Sequence, residues 1–437
     1  MALACQEVDV KMIETLFKKA LDNSLCNTSY PLNKTTWKEY RKNNYDLFLD
    51  ETELCFYIHI PFCKSLCSFC EYVKYKKEPQ LEEKYLEILE NDINNFIESH
   101  NIKKLYGFDV GGGTPTSLEI DNFKKLMEIC KKINNNFVYV NDYEPSIEAT
   151  FNTITEEKIR LIKESGFTRI SLGVQTLNTK ILLDNNRDVI TVNKMLEIVN
   201  LIKKYNIKVN LDLIYGLPNQ KIEDIENSIK IINIINPNQV TLYEMRYNML
   251  SLKSTFSKDD LYKFYEIFYK NFISMGYNAT FGQNTFSKTD DLGLSSYLRY
   301  RMIENISYKG FGISAQSKSY KGLSYNVGKT KTSFDECIKK STFFEEDIYL
   351  LPKEEMLAKY IAVSMYYGQF KLSIMENIIS INPLKKFNLE FKYLIDNGYV
   401  LIDGDLVKIL PKGFKYFGAI GALFYSDKSK KIIMEEL

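Results

Sequence analysis

The alternation of two apolar rhythms between residues 56 and 245 narrows the fold of this chain more than any other feature. Short β-branched or aromatic runs at 56–60, 106–110, 146–150, 169–172, 208–214 and 240–244 read as strands. Longer amphipathic stretches lie between them. In 81–97, Leu81, Tyr85, Leu86, Ile88, Leu89, Ile93, Phe96 and Ile97 fall on one helical stripe. A shorter helix carries Ile159, Leu161 and Ile162, with Thr155 as its N-cap, Glu156 and Glu157 near its positive end and Gly166 just past its last turn. Strands alternating with helices imply a parallel sheet, and six such units predict an α/β fold built on a partial (β/α)6 barrel. Its functional groups then belong where strands feed into loops at their C-terminal ends.

After about residue 250 the alternation fades. The stretch 357–367 reads as a helix, and 399–402 and 406–410 flank Asp403, Gly404 and Asp405, a hairpin turn. The expected division is an N-terminal arm over 1–50, partly extended; the barrel over 51–250; a barrel extension carrying substrate-site segments over 251–339; and a smaller C-terminal α+β domain over 340–437. With 437 residues, 45% of them hydrophobic, the chain can bury cores of this size. Lys and Arg (57) nearly balance Asp and Glu (56), so no basic field recruits nucleic acid. Glu7 and Asp9 oppose a signal peptide, and the strongly apolar stretch around 416–425 is about half the roughly 20 residues that span a bilayer. A cytoplasmic protein with no membrane partner is expected. Thiols stay reduced there, so a tight group among the eight cysteines points to metal or catalysis, not to disulfides.

That group is Cys63, Cys67 and Cys70, directly after the first strand and Pro61. A [4Fe–4S] cube takes one ligand per iron, and three closely, unevenly spaced thiols can hold three corners and leave one iron open. Zinc is the competing reading, but a structural zinc site wants a fourth ligand, and His59 lies within the strand pattern. Cys5, Cys26, Cys55, Cys130 and Cys337 are scattered and read as small buried hydrophobes.

The run from Tyr57 through His59, Pro61 and Phe62 to Cys63, Cys67 and Cys70 resembles the radical S-adenosylmethionine superfamily, and closely its oxygen-independent coproporphyrinogen III oxidase-like branch, which also includes radical methyltransferases and haem chaperones. The resemblance covers about 50–330, with a looser echo in Ser29, Tyr30 and Pro31. It implies that the open iron chelates the methionine end of S-adenosylmethionine and that one-electron reduction yields a 5′-deoxyadenosyl radical. The protein's own tasks are then to position that carbon and to exclude water and oxygen.

The resemblance also assigns the cofactor's contacts. Gly112 and Gly113, with Thr114 beside them, match the segment that meets the methionine amine; read by itself the glycine run is equally a tight turn. Glu148 stands in a strand-like run where a carboxylate suits two ribose hydroxyls, although Thr150 and Phe151 replace the branch's usual turn. Gln175, Arg187 and Asp212 match positions near the nucleoside or the methionine carboxylate, and Tyr57 precedes the cysteines. Gly312, Ile313 and Ala315 match a segment that approaches a second cofactor molecule or the substrate, with packing turns as the plain alternative.

The expected activity is reductive cleavage of S-adenosylmethionine to modify a small organic substrate, fed by a flavodoxin- or ferredoxin-type donor. Radical methylation, drawing on a second S-adenosylmethionine, is slightly preferred over oxidative decarboxylation of a coproporphyrinogen-like tetrapyrrole. The decarboxylases commonly carry a further cysteine where this chain has Tyr72. A haem-binding chaperone without turnover is the alternative from another class, and the two histidines, His59 and His100, count against histidine ligation of haem.

Overall fold

The computed structural model describes residues 2–21, 34–247 and 253–435. Ser29, Tyr30, Pro31 and Cys26 lie outside the described residues. At the centre are six parallel strands, β1 (Glu53–Ile60), β2 (Lys104–Gly112), β3 (Ser146–Ala149), β4 (Arg169–Gln175), β5 (Lys208–Tyr215) and β6 (Gln239–Glu244). Each is hydrogen-bonded to the next in chain order. The predicted βα alternation is therefore the observed topology, an α/β fold with a central parallel sheet. Register pairs Ile60 with Gly112, Glu148 with Ser171 and Gly173 with Asp212, which brings the predicted cofactor residues to one end of the sheet.

The intervening helices bury the stripes that predict them. Pro79–Ser99 turns Tyr85, Leu86, Leu89, Ile93 and Phe96 inward, and burial of each such side chain contributes about 1.5–3 kcal/mol. Thr155 caps Glu156–Glu164, its hydroxyl accepting from the Lys158 N–H, and Gly166 follows with φ +91°.

The sheet continues beyond the six strands. Thr285–Ser287 runs antiparallel to β6, while Tyr308–Phe311 adds in parallel to the other edge of β1. Antiparallel strands Gln316–Lys318, Gly322–Asn326, Glu345–Leu350 and Arg41–Lys42 extend that side, and the described strands form an open path. Because Glu345–Leu350 pairs with Gly322–Asn326, the large sheet runs past the expected boundary at 340. A second apolar core follows it, around the buried helix Lys353–Ser364 and a sheet of Gln369–Lys371, Leu406–Ile409 and Val400–Asp403. The expected hairpin forms there, Asp403 facing Leu406 across Gly404.

Within the N-terminal arm the described residues include a long helix besides the short strand Arg41–Lys42. Ala2–Ala20 is one helix, and Ile13, Leu16, Phe17 and Ala20 are buried in the C-terminal core. Phe17 stacks on Tyr399 with centroids 5.1 Å apart. The spacing of these four is helical; their partner surface lies most of the chain away, which a reading of the polar stretch after them does not reveal.

Candidate active site

Pro61 has no N–H to continue the ladder, so β1 ends and the chain turns into the cysteine loop. The loop's two ends are tied by Tyr75 N–H to Pro61 O (2.7 Å) and Lys77 N–H to Cys63 O (3.0 Å). Cys63 is buried, its Sγ 3.7 Å from Thr114 Oγ1, while Cys67 and Cys70 are half-buried. Arg187 Nη1 lies 3.7 Å from Cys67 Sγ, and Lys74 Nζ donates to Cys70 O at 2.7 Å. All three thiols line one cavity of about 210 Å³ at the C-terminal mouth of the strands.

The glycine run forms the wall facing the loop. Gly113 N–H donates to Ile60 O and Thr114 N–H to Phe62 O, which pins the wall to the cysteine strand. A Cβ at Gly113 would stand 2.9 Å from Cys63 Sγ, and one at Gly112, where φ is +114°, would stand 2.6 Å from the His59 ring. The run is thus a close approach required by the site as well as a turn. His59 itself is buried, with Nε2 3.1 Å from Val73 O, so Nε2 carries the proton; burial holds the ring down to about 4, neutral at ordinary pH. It is a core histidine. His100 pairs with Asp46 at 3.0 Å, far along the helix end.

Two carboxylates face the thiols across the cavity. Glu148 accepts from the Gly112 N–H at 3.1 Å. Burial, with the neighbouring Asp212 carboxylate, pushes the Glu148 carboxyl up to about 8, against the pull of that N–H. Asp212 is raised by burial and held back by the Ser171 hydroxyl (2.6 Å) and the Asn210 amide (2.8 Å). Ser171 and Asn210 are site residues that the sequence motifs did not single out; their signal is the polar residues one strand-repeat apart on otherwise apolar β4 and β5. Gln175 ends β4 in the left-handed region, φ +69°, and lines the cavity with Arg187, whose Nη2 donates to Gly173 O.

The donor set fits the implied groups. Three thiols open to one cavity can each meet a different iron of a cube. Burial pushes the Cys63 thiol up to about 11, so its deprotonation is tied to metal binding. Arg187 offers a fork to a carboxylate, Glu148 and Asp212 offer acceptors to hydroxyls or an ammonium, and the glycine backbone offers close approach. When bound, the cluster and S-adenosylmethionine would supply one-electron cleavage and a carbon radical, and the thiols, Arg187, Glu148, Asp212 and the glycine backbone would hold and orient them.

Not all expected residues reach this cavity. Tyr57 does not line it; its hydroxyl is 3.5 Å from His59 Nδ1 and its ring is stacked on Tyr297 at 5.6 Å. Gly312, Ile313 and Ala315 are buried against β1, away from the cavity. Ile313 N–H donates to the Tyr85 hydroxyl, Gly312 O accepts from Asn326, and Ala315 O accepts from Asn326 N–H. These backbone hydrogen bonds are those of a packed turn, and none of the three residues lines the smaller cavity.

A second cavity, about 410 Å³, adjoins the first through Glu244, Met245 and Arg246. Tyr215, Tyr265 and Phe256 face Met365, Tyr366, Phe414 and Phe417 across it. It is therefore shared by the barrel, the helix Lys258–Ser274 and the C-terminal unit. Neither histidine lines it.

Residues 57–232 match the model of the radical SAM superfamily. The heme chaperone HemW of Bacillus subtilis is 28% identical over 315 residues, covering 69% of this chain and 80% of that protein. HemW of Buchnera aphidicola subsp. Schizaphis graminum is 31% identical over 262 residues, covering 54% and 67%. The oxygen-independent coproporphyrinogen III oxidase of Escherichia coli is 31% identical over 199 residues, covering 44% and 42%. The solved structure of coproporphyrinogen III oxidase (HemN) from Escherichia coli, a radical SAM enzyme, superposes with a TM-score of 0.71 at 23% identity, over 86% of this chain and 91% of that one. With this fold and a three-cysteine loop at its strand ends, the chain belongs to the radical SAM superfamily. Within it the chain falls in the branch of the HemW heme chaperones and the oxygen-independent coproporphyrinogen III oxidases. Membership implies a [4Fe–4S] cluster and S-adenosylmethionine. No described helix is long and apolar enough to cross a membrane.

One consequence of the Glu148 environment is measurable without cofactor. Its folded value of about 8 lies above the ordinary 4.5, so the folded protein holds that proton more tightly than the unfolded chain does. The stability this group contributes is present below about 4.5 and is lost as pH rises through about 8. Glu148→Gln removes the loss. Thermal melts should show the variant gaining on the wild type as pH is raised across that window; parallel curves would mean that the carboxyl ionises freely.

Proposed function

We propose that this chain holds a [4Fe–4S] cluster and one S-adenosylmethionine in the smaller cavity, and carries a haem-type tetrapyrrole in the aromatic cavity beside it. The observation behind this reading is the 410 Å³ cavity, lined by aromatic rings and contiguous with the cofactor residues through Glu244, Met245 and Arg246. Flat aromatic ligands suit such walls. Tyr and Met side chains on it supply haem-ligand chemistry that the two histidines do not.

The relatives bear on the choice among activities. Two of those described are named heme chaperones and the third a coproporphyrinogen oxidase, which supports a tetrapyrrole ligand over the methylation preferred on sequence grounds. Oxidative decarboxylation stays as the second reading, favoured by the HemN-like fold and opposed by Tyr72 in the place of the decarboxylases' further cysteine. A small flavodoxin- or ferredoxin-type donor would reduce the cluster.

The test is anaerobic. The reconstituted protein is titrated with haem while 5′-deoxyadenosine and S-adenosylhomocysteine are quantified by mass spectrometry. A saturable Soret shift near one haem per chain, without S-adenosylhomocysteine, is expected. Turnover of coproporphyrinogen with matching 5′-deoxyadenosine would replace the chaperone reading with the decarboxylase one, and S-adenosylhomocysteine with a methylated product would overturn both.

A further inference from the structure

We propose that Arg246 is the carboxylate-anchoring residue of the aromatic cavity, and that a ligand carboxylate draws it away from Glu71, the residue that follows the cluster-loop cysteine Cys70. The inference rests on the aromatic cavity being the tetrapyrrole site, and it adds which ligand group is recognised and by what.

Arg246 leaves the end of β6 and lines both cavities. Its Nη1 donates to Glu71 Oε1 at 2.9 Å and its Nε to the Tyr366 hydroxyl at 2.7 Å, with the guanidinium carbon 4.9 Å from the centre of the Tyr366 ring. Three parts of the molecule therefore meet on one side chain: the cysteine loop, the barrel and the C-terminal unit. The pairing with Glu71 is one-sided. Glu71 Oε2 has no hydrogen-bond partner among the described residues, so Glu71 engages only one N–H of the fork and is a weaker partner than a carboxylate met by two. An arginine fork prefers a carboxylate that it can meet with two N–H groups. A carboxylate on a ligand seated in the aromatic cavity is placed to be that partner.

Among the described residues no other arginine lines the aromatic cavity; Arg187 lines only the smaller one, where its Nη2 donates to Gly173 O and its Nη1 lies 3.7 Å from Cys67 Sγ. Arg299 is paired with Asp142 and lies over the Tyr300 ring, and Arg301 donates to the Tyr297 hydroxyl at 2.6 Å. Neither lines either cavity. Lys258, the further cation on the aromatic cavity, directs its ammonium to Leu21 O. The ligand class is accordingly a flat aromatic molecule with at least one carboxylate, and its arrival alters the partner of a residue next to Cys70.

The experiment compares iron protoporphyrin IX with its dimethyl ester by Soret titration of the full-length, cluster-loaded protein in one detergent buffer. The wild type should bind the free acid about tenfold or more tightly than the ester, a charge-assisted contact's worth. Arg246→Gln should lose that preference by weakening the acid and leaving the ester unchanged. Glu71→Gln, which removes the competitor, should tighten the acid. Arg246→Lys keeps a charge beside Glu71 without the fork and serves if the glutamine variant does not fold; a reduced preference there supports the same conclusion. A full preference in either Arg246 variant, or equal binding of acid and ester by the wild type, overturns the anchor alone. Binding of neither by the wild type overturns the tetrapyrrole reading and the anchor with it.

Discussion

Cys63→Ala yields a folded protein that cannot keep its cluster, with iron and acid-labile sulfide near background after reconstitution and 5′-deoxyadenosine formation down by about two orders of magnitude or more. The size follows from position. Partners one step removed from a metal ligand cost roughly 10–100-fold when lost, and Cys63 is itself a proposed ligand, buried between Thr114 and the glycine wall. Alanine fills most of the space, so the far-ultraviolet spectrum should match the wild type. Cys67→Ala and Cys70→Ala should follow it, because an incompletely held cube is labile. Retention of about four irons by the triple variant would remove these residues from the site.

Gly113→Ala should be nearly as damaging without touching a ligand. The added Cβ would stand 2.8 Å from Phe62 O and from Pro61 C, and 2.9 Å from Cys63 Sγ. The first two are backbone atoms, held by the Thr114 and Tyr75 N–H groups respectively, so relief requires moving the cysteine loop itself. Overpacking of this kind costs about 1–3 kcal/mol, readable as a lower urea midpoint of the iron-free protein, and cluster retention should fall as well. Gly276→Ala is the matched control. It has nothing within 4 Å but a φ of +82°, so its cost is backbone strain of about 1–2 kcal/mol, and its cluster content should be unchanged. If Gly113→Ala reconstitutes fully, the wall is softer than the geometry says.

The sequence carries the parallel strands and the cysteine loop because their signals are local. Six apolar runs, a Pro that stops a strand and three thiols in one short loop are each legible within a few residues. Glu148 and Asp212 are legible for a related reason: a carboxylate inside an apolar strand asks for a partner, and the two do face one cavity. What the local signals leave out has a common physical origin. Strands such as Gln316–Lys318, with Ser317 and Lys318 buried, hide polar side chains that tertiary hydrogen bonds satisfy, so no alternation marks them. Gly312, Ile313 and Ala315 carry a resembling motif, but Tyr85 and Asn326 take their backbone groups. Arg246 gains its meaning from Tyr366, 120 residues further along the chain, a distance that no motif bridges. The helix Ala2–Ala20 needs Tyr399 and the last helices to become a core element.

That last contact sets an order of events. The three thiols, the glycine wall and the two carboxylates of the smaller cavity come from residues 63–212, carried by strands that pair with neighbours in chain order. The aromatic cavity is different. Its far wall includes Phe414 and Phe417, and the unit bearing them has a core that incorporates Phe17 from the other end of the chain. Contacts of such sequence separation form late. A chain cut short near its end would therefore still carry the thiol loop and the carboxylates facing it, but would lack the far wall of the aromatic cavity.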